Sequence, residues 1–367
     1  MKSFLFFLVH PSKYHVFRHT INILKSHGHR VDILITSKDV LEELMKNEGW
    51  EYKNIFPEGR KIKGLPTYLS AAINSIRTLY RLEKYLWRKK YDLFITDDLL
   101  VINGKFHNTR CILFQDDDVT AVPESALLHR FTTNIMTPFV SDMGKFSCKK
   151  VPFHGYKELG SLHPRRFNPN QDIIKQFNPD LSKYFILRLV SLKATHDVGK
   201  AGLNDEEVLL LISMLENHGK VFITSERSLP DKFEKYRISI KVNEIAHALY
   251  FADLLIADSQ TMSAEAGVLG TPYIRFNDFV GRISYLEELE NKYKLGYGIK
   301  TKDKDLLFSK VNELLNTPNL KDEWKIKRSK MLSEKIDMTD FMVWFFENYP
   351  ESAKIIEENP DYQYKFK

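Results

Sequence analysis

The sequence predicts an α/β fold: two Rossmann-like, doubly wound parallel-sheet domains facing a cleft, with helices at the carboxyl end. Three observations predict it. Short, unbroken apolar runs alternate with stretches of helical period, as in parallel strands covered on both faces by helices. The rhythm breaks between about 150 and 180, in VPFHGYKELGSLHPRRFNPNQD, and then resumes. From Lys321 to Glu357 the chain reads as helix.

In the first series, Phe4–Val9 is a continuous apolar strand. The turn HPSKY follows, then a helix carrying Val16, Ile21, Ile23 and Leu24 and ending at Gly28. VDILIT (31–36) is a strand, Val40–Met45 a helix and Tyr52–Phe56 a strand. A long helix over Thr67–Lys90 has an apolar stripe of Ile73, Ile76, Leu79, Leu82 and Leu86. Arg77, Arg81, Lys84, Arg88 and Lys89 surround that stripe. DLFIT (92–96), RCILF (110–114) and NIMTPF (134–139) are further strands.

The second series has strands YFILRL (184–189), KVFIT (220–224), ISI (238–240), DLLIA (253–257), PYIRF (272–276) and GYGIK (296–300). Helices near 204–217, 243–251, 261–269, 284–293 and 303–315 connect them. The expected boundaries are an amino-terminal domain at 1–160, a linker at 161–180, a second domain at 181–335 and terminal helices at 336–367 that pack back on the first domain. Open α/β sheets bind ligands at the carboxyl ends of their strands, so the loops there carry the candidates.

Composition narrows the class. A chain of 367 residues, 43% of them hydrophobic, fills two domains and excludes disorder. A net charge of +6 is mild, and no basic run exceeds Arg88-Lys89-Lys90. It calls for no nucleic acid and suits an anionic substrate or an acidic membrane surface. Cys111 and Cys148 exclude a disulfide scaffold and a cysteine metal site, and read as thiols in a reducing compartment. The opening MKSFLFFLV has an apolar run shorter than the roughly 7–15 residues of a signal peptide or the about 20 of a membrane span. The expectation is a buried first strand in a cytoplasmic protein.

The segment ADLLIADSQTMSAEAGVLGTPYIRF (252–276) reads as strand, turn, helix and strand. Asp258-Ser259-Gln260-Thr261 forms the turn, with Thr261 as the expected N-cap. The free N–H groups and positive dipole end of such a helix attract an anion, and the hydroxyls of Ser259 and Thr261 add donors. Glu265 follows Thr261 by four residues on the same face. A carboxylate accepts from vicinal hydroxyls but repels phosphate. The pair therefore suits a ligand with diphosphate at one end and ribose at the other. Acidic residues also favour early helical turns for dipole reasons alone. Gly270 ends the helix and Pro272 stops its continuation.

This segment resembles the donor-site motif of GT-B glycosyltransferases and of the non-hydrolysing UDP-N-acetylglucosamine 2-epimerases. Ser259, Glu265 and Leu269-Gly270-Thr271-Pro272 match it, while Gln260 and Thr261 stand where the epimerases have two glycines. The chain is more closely similar to a GT-B-like family catalogued as domain-of-unknown-function family 354. HPSKYHVFRHTINILKSHGHRVDILIT, FHGYKELGSLHP, ILRLVSLKATHD and DSQTMSAEAGVLGTP carry that similarity. The resemblance implies a GT-B-like fold. It also implies a UDP-sugar or other nucleotide-diphosphate sugar as substrate, with no separate cofactor.

The loop His10-Pro11-Ser12-Lys13-Tyr14-His15 is not a GxGxxG, so a dinucleotide is disfavoured. Its Ser12 and Lys13 are candidate substrate contacts. His10 or His15 is a candidate general base or, alternatively, a capping or substrate-contacting histidine. In FQDDDVTAVPE (114–124), three consecutive carboxylates cannot all be buried and ionised without partners. A DxD metal site there belongs to another fold, and no metal is expected. The epimerase resemblance implies acidic groups at Asp97, at one of Asp116–Asp118 (Asp117 as the representative) and at Glu124, with His196 in the second domain. SLKATHD (191–197) departs from the epimerase Gly-His-Arg-Arg-Glu, but its Ser191, Lys193, Thr195 and His196 suit phosphate. Ser225 and Arg227 follow the next strand as base or phosphate contacts, a solvated Arg227 being the alternative. Arg188 is read as structural.

The leading expectation is a metal-independent glycosyltransferase of surface polysaccharide or glycoconjugate synthesis. The second domain would hold the donor through Ser259, Gln260, Thr261 and Glu265. The first would hold a saccharide or lipid-linked acceptor, and the basic helix with Trp87 is compatible with peripheral membrane contact. The alternatives are a sugar-nucleotide 2-epimerase and a non-catalytic nucleotide-sugar-binding protein.

Overall fold

The computed structural model describes residues 1–38, 40–60, 67–191 and 202–367. They form two compact units, Met1–Ser161 with Lys335–Lys367, and Leu162–Glu334.

The first unit is built on seven parallel strands: β1 (Ser3–Leu8), β2 (Arg30–Thr36), β3 (Lys53–Phe56), β4 (Leu93–Thr96), β5 (Cys111–Phe114), β6 (Asn134–Pro138) and β7 (Lys150–Phe153). Their order is β3-β2-β1-β4-β5-β6-β7, which reverses direction between β1 and β4. Helices α1 (Pro11–Ser26), α2 (Leu41–Asn47), α3 (Thr67–Leu86), α4 (Leu100–Phe106) and α5 (Ala126–Phe131) follow β1 to β5 in turn, and α6 (Leu159–Leu162) follows β7. Phe4 to Leu8 are all buried, as two-sided coverage requires. Phe6, Phe17, Phe114 and Phe153 form a chain of ring contacts at 5.2–5.8 Å through this core.

The second unit adds α7 (Gln171–Lys175), β8 (Tyr184–Leu189), α8 (Asp205–Glu216), β9 (Lys220–Ser225), α9 (Asp231–Glu234), α10 (Ile245–Phe251), β10 (Leu254–Ala257), α11 (Gln260–Leu269), β11 (Tyr273–Phe276), α12 (Ser284–Glu287), β12 (Gly296–Ile299), α13 (Lys304–Leu315) and α14 (Leu320–Glu334). Its five parallel strands run β12-β11-β10-β8-β9 and reverse between β8 and β10. Arg275 is fully buried in β11, its guanidinium paired with Glu290 at 2.8 Å and with Glu287 at 3.3 Å. The last helices, α15 (Met338–Glu347) and α16 (Glu351–Glu358), return to the first unit. There Phe346 meets Phe6 and the Thr339 hydroxyl donates to the Gly160 carbonyl at 2.8 Å.

Several expectations change. Residues 150–153, read as the start of a pattern break, are strand β7; Pro152 is tolerated because β7 is an edge strand. ISI (238–240) is not a strand. Only Arg237 makes a bridge, to Ile223, and the partly exposed residues after it leave the sheet edge. The helix expected over 284–293 is α12 followed by one π-helical turn, Glu288–Lys292.

The long helix α3 is rotated from its sequence reading. Leu82 and Leu86 are buried with Ser70, Asn74 and Thr78, whereas Ile73 and Ile76 are exposed. Leu82 and Leu86 join the core with Phe56, and two arginines flank them. Arg77 and Arg81 turn inward onto Glu58 at 2.7 and 2.6 Å and lie over the Phe56 ring.

Gly270 caps α11 at φ +82°, and a Cβ added there would lie 2.7 Å from Cδ of Arg328. Gly270→Ala should lower stability by about 1–2 kcal/mol from the left-handed backbone alone. Equilibrium urea unfolding checks this; an unchanged midpoint would contradict it.

Candidate functional site

In each unit, buried carboxylates stand at the carboxyl ends of the strands where the strand order reverses. Doubly wound sheets leave a crevice at that point, because neighbouring loops there run to opposite faces.

In the first unit, the α1 amino end follows β1. His10 is its N-cap: Nδ1 accepts from the Ser12 N–H at 3.2 Å and lies 2.9 Å from the Ser12 hydroxyl. Burial, with Lys38, Lys13 and Lys157 nearby, pushes its imidazole down to about 3. Burial and Arg18 push His15 down to about 4. Both rings are therefore neutral at physiological pH and weak bases, which supports the capping reading for His10. Lys13 is buried, its ammonium 3.4 Å from Asp116 and 3.9 Å from Asp97, over the Phe114 ring.

Asp97 directly follows β4. Burial pushes its carboxyl up to about 6 against the opposing pull of Lys13. Its Oδ1 is buried with no hydrogen-bond partner among the described residues. Next to it, Asp98 accepts from Arg60 at 2.7 Å.

Asp116 behaves in the opposite way. Burial raises its proton affinity, but Lys157 and Lys13, both bonded to it, hold it well below the usual carboxylate range. Of the acidic triplet, then, Asp116 is the member beside Lys13. Asp118 is buried and accepts from the Asp142 N–H at 2.7 Å. Asp117 is half-buried, its carbonyl accepting from Gln115 at 3.3 Å. Glu124 sits in the short 3-10 turn Pro123–Ser125, its side chain outside the described residues. Lys157, 3.9 Å from Glu158, was not picked out from sequence although it lies within FHGYKELGSLHP.

In the second unit, α11 begins where β10 ends. Its N-cap is Ser259, not Thr261, and the Ser259 hydroxyl accepts from the Met262 N–H at 3.3 Å. Cap geometry decides this, since Ser259 is the last residue with extended backbone. Thr261 moves into the first turn. The N–H groups of Gln260 and Thr261 carry no hydrogen bond among the described residues, which leaves them for an anion. Glu265 is half-buried on the same helix, about 6 Å further along its axis.

Asp258, just before the cap, is buried, and its Oδ1 accepts from the Val190 N–H after β8 at 2.7 Å. Its Oδ2 is buried without a partner among the described residues. Burial pushes its carboxyl up to about 7, opposed by the Val190 N–H and by Arg227. Sequence reading passed over Asp258 as a turn residue. Its place at the end of an apolar strand was the available signal.

The remaining candidates are spread around this point. The Ser191 N–H donates to Glu226 at 3.4 Å. Ser225 is engaged with the backbone of Arg227 on both sides. Arg227 donates to the Leu203 carbonyl at 2.7 Å, so it is anchored rather than freely solvated. Arg188 donates to the Thr224 hydroxyl at 3.1 Å and to Glu226. Lys193, Thr195 and His196 lie outside the described residues. Among the described residues, no group of three or more His, Cys, Asp or Glu side chains is arranged to hold a metal.

No family model matches the sequence, and no curated protein matches it. Solved structures do. The chain is similar to an S. aureus MnaA–UDP complex at 12% identity and TM-score 0.67, covering 96% of this chain and 98% of that one. It is similar to the Methanocaldococcus jannaschii UDP-GlcNAc 2-epimerase, in complex with UDP-GlcNAc and UDP, at 14% identity and TM-score 0.63, covering 89% and 99%. It is also similar to Acinetobacter baumannii MurG at 13% identity and TM-score 0.58, covering 94% and 99%. At such identities the likeness establishes the fold, which is GT-B-like.

Asp258 has a pH signature. Its folded carboxyl titrates near 7 and an unfolded one at about 4, so the folded chain binds this proton more tightly. That stabilisation is complete below about pH 4 and is lost as pH rises toward 7. Asp258→Asn cannot ionise, so its melting temperature should gain on the wild type across this window. A gap independent of pH would show that the carboxyl titrates normally.

Proposed function

We propose that the chain is a metal-independent glycosyltransferase acting on a nucleotide-diphosphate sugar. The observation that carries this reading is the amino end of α11, at the reversal of the second sheet, where two first-turn N–H groups are open and Glu265 follows one turn on. These groups suit a diphosphate and a ribose. The UDP and UDP-GlcNAc named with structures of the same fold support a uridine nucleotide.

In this reading the second unit takes the donor, with Lys193, His196 and Arg227 as further contacts. The first unit takes the acceptor. Asp97 is the base: a carboxylate near pKa 6, with an unpartnered oxygen, accepts the proton of an acceptor hydroxyl as the glycosidic bond forms. The leaving diphosphate receives the positive end of α11. Asp116, tied to two ammonium groups, is a poor base and instead fixes Lys13. His10 caps α1 and stays neutral.

Epimerisation at sugar C2 is the second reading, favoured by the full-length likeness to UDP-GlcNAc 2-epimerases. It needs proton removal on one face of the sugar and return on the other. Asp97 is one such group. Glu124 and His196 are the candidates for its partner.

Calorimetric titration with a panel of nucleotide sugars tests the common premise; no binding of any would contradict both readings. Incubation in heavy water separates them. Transfer predicts no deuterium at C2 without acceptor, and exchange would establish epimerisation. In either chemistry Asp97→Asn should lower turnover about 100- to 10,000-fold. The wild-type rate should rise with pH through about 6 and then level, because the unprotonated carboxylate is the active form. A flat profile from pH 5 to 8 would remove Asp97 from the proton transfer.

A further inference from the structure

The outer face of α3 has no role in the reading above. Leu69, Ile73, Ile76 and Tyr80 are 43%, 40%, 69% and 69% exposed, and Trp87, on the turn that ends the helix, is 69% exposed. Successive steps of four, three, four and seven residues put all five along one line of the helix. A helix of 20 residues makes that line about 30 Å long. Alongside lies α4, whose Asn103 side chain donates to the Leu79 carbonyl at 3.3 Å and to Glu83 at 3.1 Å. Its last residue, Phe106, is 80% exposed.

Burying the stripe is not what holds the helix in the fold. The inner face of α3 packs through Thr78, Leu82 and Leu86, and Arg77 and Arg81 anchor it on Glu58. An apolar line left outside an already seated helix marks an interaction surface.

Glu83 falls on this line too, between Tyr80 and Trp87, but the basic side chains beside it are the more numerous. Lys84, Arg88, Lys89, Lys90 and Lys105 are exposed. The carboxylates next to α3 are committed: Glu58 to Arg77 and Arg81, Glu83 to Asn103 and His107. Two copies of this face would bring cationic rims together. A surface of anionic lipid headgroups complements both the rim and the stripe, with aromatic rings at the interface depth. Among the described residues, no helix is long and apolar enough to cross a membrane, so such contact is peripheral.

We propose that the α3 face docks the protein on an anionic lipid surface, with Ile73, Ile76, Tyr80, Trp87 and Phe106 entering the interface and Lys84, Arg88, Lys89, Lys90 and Lys105 meeting the headgroups. The inference does not depend on which sugar chemistry the protein performs.

Flotation of the full chain with vesicles tests it. Vesicles of phosphatidylcholine containing phosphatidylglycerol should carry the protein, and pure phosphatidylcholine vesicles should leave most of it behind. Ile76→Glu combined with Tyr80→Glu should weaken binding at least about tenfold. Lys84→Gln and Arg88→Gln should each weaken it about fivefold, and more at low salt than at high. All these positions are exposed, and an unchanged melting temperature shows that each variant folds. Trp87→Phe should bind as the wild type does while removing the blue shift of tryptophan emission on vesicles. Failure of the wild type to float would overturn the proposal. So would binding unaffected by the Ile76/Tyr80 pair. A dimer in light scattering that Ile76→Glu dissociates, without vesicle binding, would assign the face to a second copy instead.

Discussion

The first unit is organised around one buried carboxylate. Asp116 lies at the carboxyl end of β5 with almost no exposure, where an unpaired charge would be prohibitive. Two ammonium groups make it tolerable, Lys13 from the first turn of α1 and Lys157 from the loop after β7. Segments far apart in the chain thereby converge on one carboxylate, one strand beyond the reversal of the sheet. The arrangement also places the Lys13 ammonium next to Asp97, where it counteracts, without cancelling, the rise that burial imposes. The two aspartates thus contrast in proton affinity. One is locked in its ionised form, and the other is left able to take up and release a proton near neutrality.

The second unit uses the same topological position differently. Asp258 stands at the end of β10 as Asp97 stands at the end of β4, each with one buried carboxylate oxygen that has no hydrogen-bond partner among the described residues. The helix that follows Asp258, α11, differs from α1 of the first unit, whose amino end carries Lys13 and the capping His10. Ser259 satisfies one first-turn N–H of α11 and leaves two. An amino end already crowded by cations and a histidine cap suits a site that handles protons. One with spare donors and a carboxylate a turn later suits a ligand with an anionic end and a hydroxylated end.

Most of this fold was legible because its strands are short, apolar and separated by turn residues. Phe4 to Leu8 and Leu254 to Ala257 have no alternative to burial. What escaped were features set by tertiary contact. The short strand β7 lies inside the stretch where the regular rhythm breaks, and its edge position lets it carry Pro152. Ile73 and Ile76 looked like core positions because their period matches that of Leu82 and Leu86. The inward face of α3 is the one that packs Thr78, Leu82 and Leu86, with Arg77 and Arg81 paired to Glu58 beside it. In the candidate site, the turn from Asp258 to Thr261 could be read from position, and Asp97 was a candidate through resemblance alone. Selecting Asp116 within three consecutive aspartates could not, because it depends on Lys157, forty-one residues away. Nor could sequence show that His10 spends its acceptor nitrogen on its own helix.

The account rests on Asp97 remaining partly protonated near neutrality while Asp116 does not. Carbon-13 NMR of the aspartate side-chain carboxyls, assigned by Asp97→Asn and followed across a pH titration of the intact chain, measures this directly. The account predicts an Asp97 midpoint at about 6, with the Asp116 signal unmoving above pH 4. An Asp97 midpoint at about 4, the value of an ordinary solvated aspartate, would contradict it.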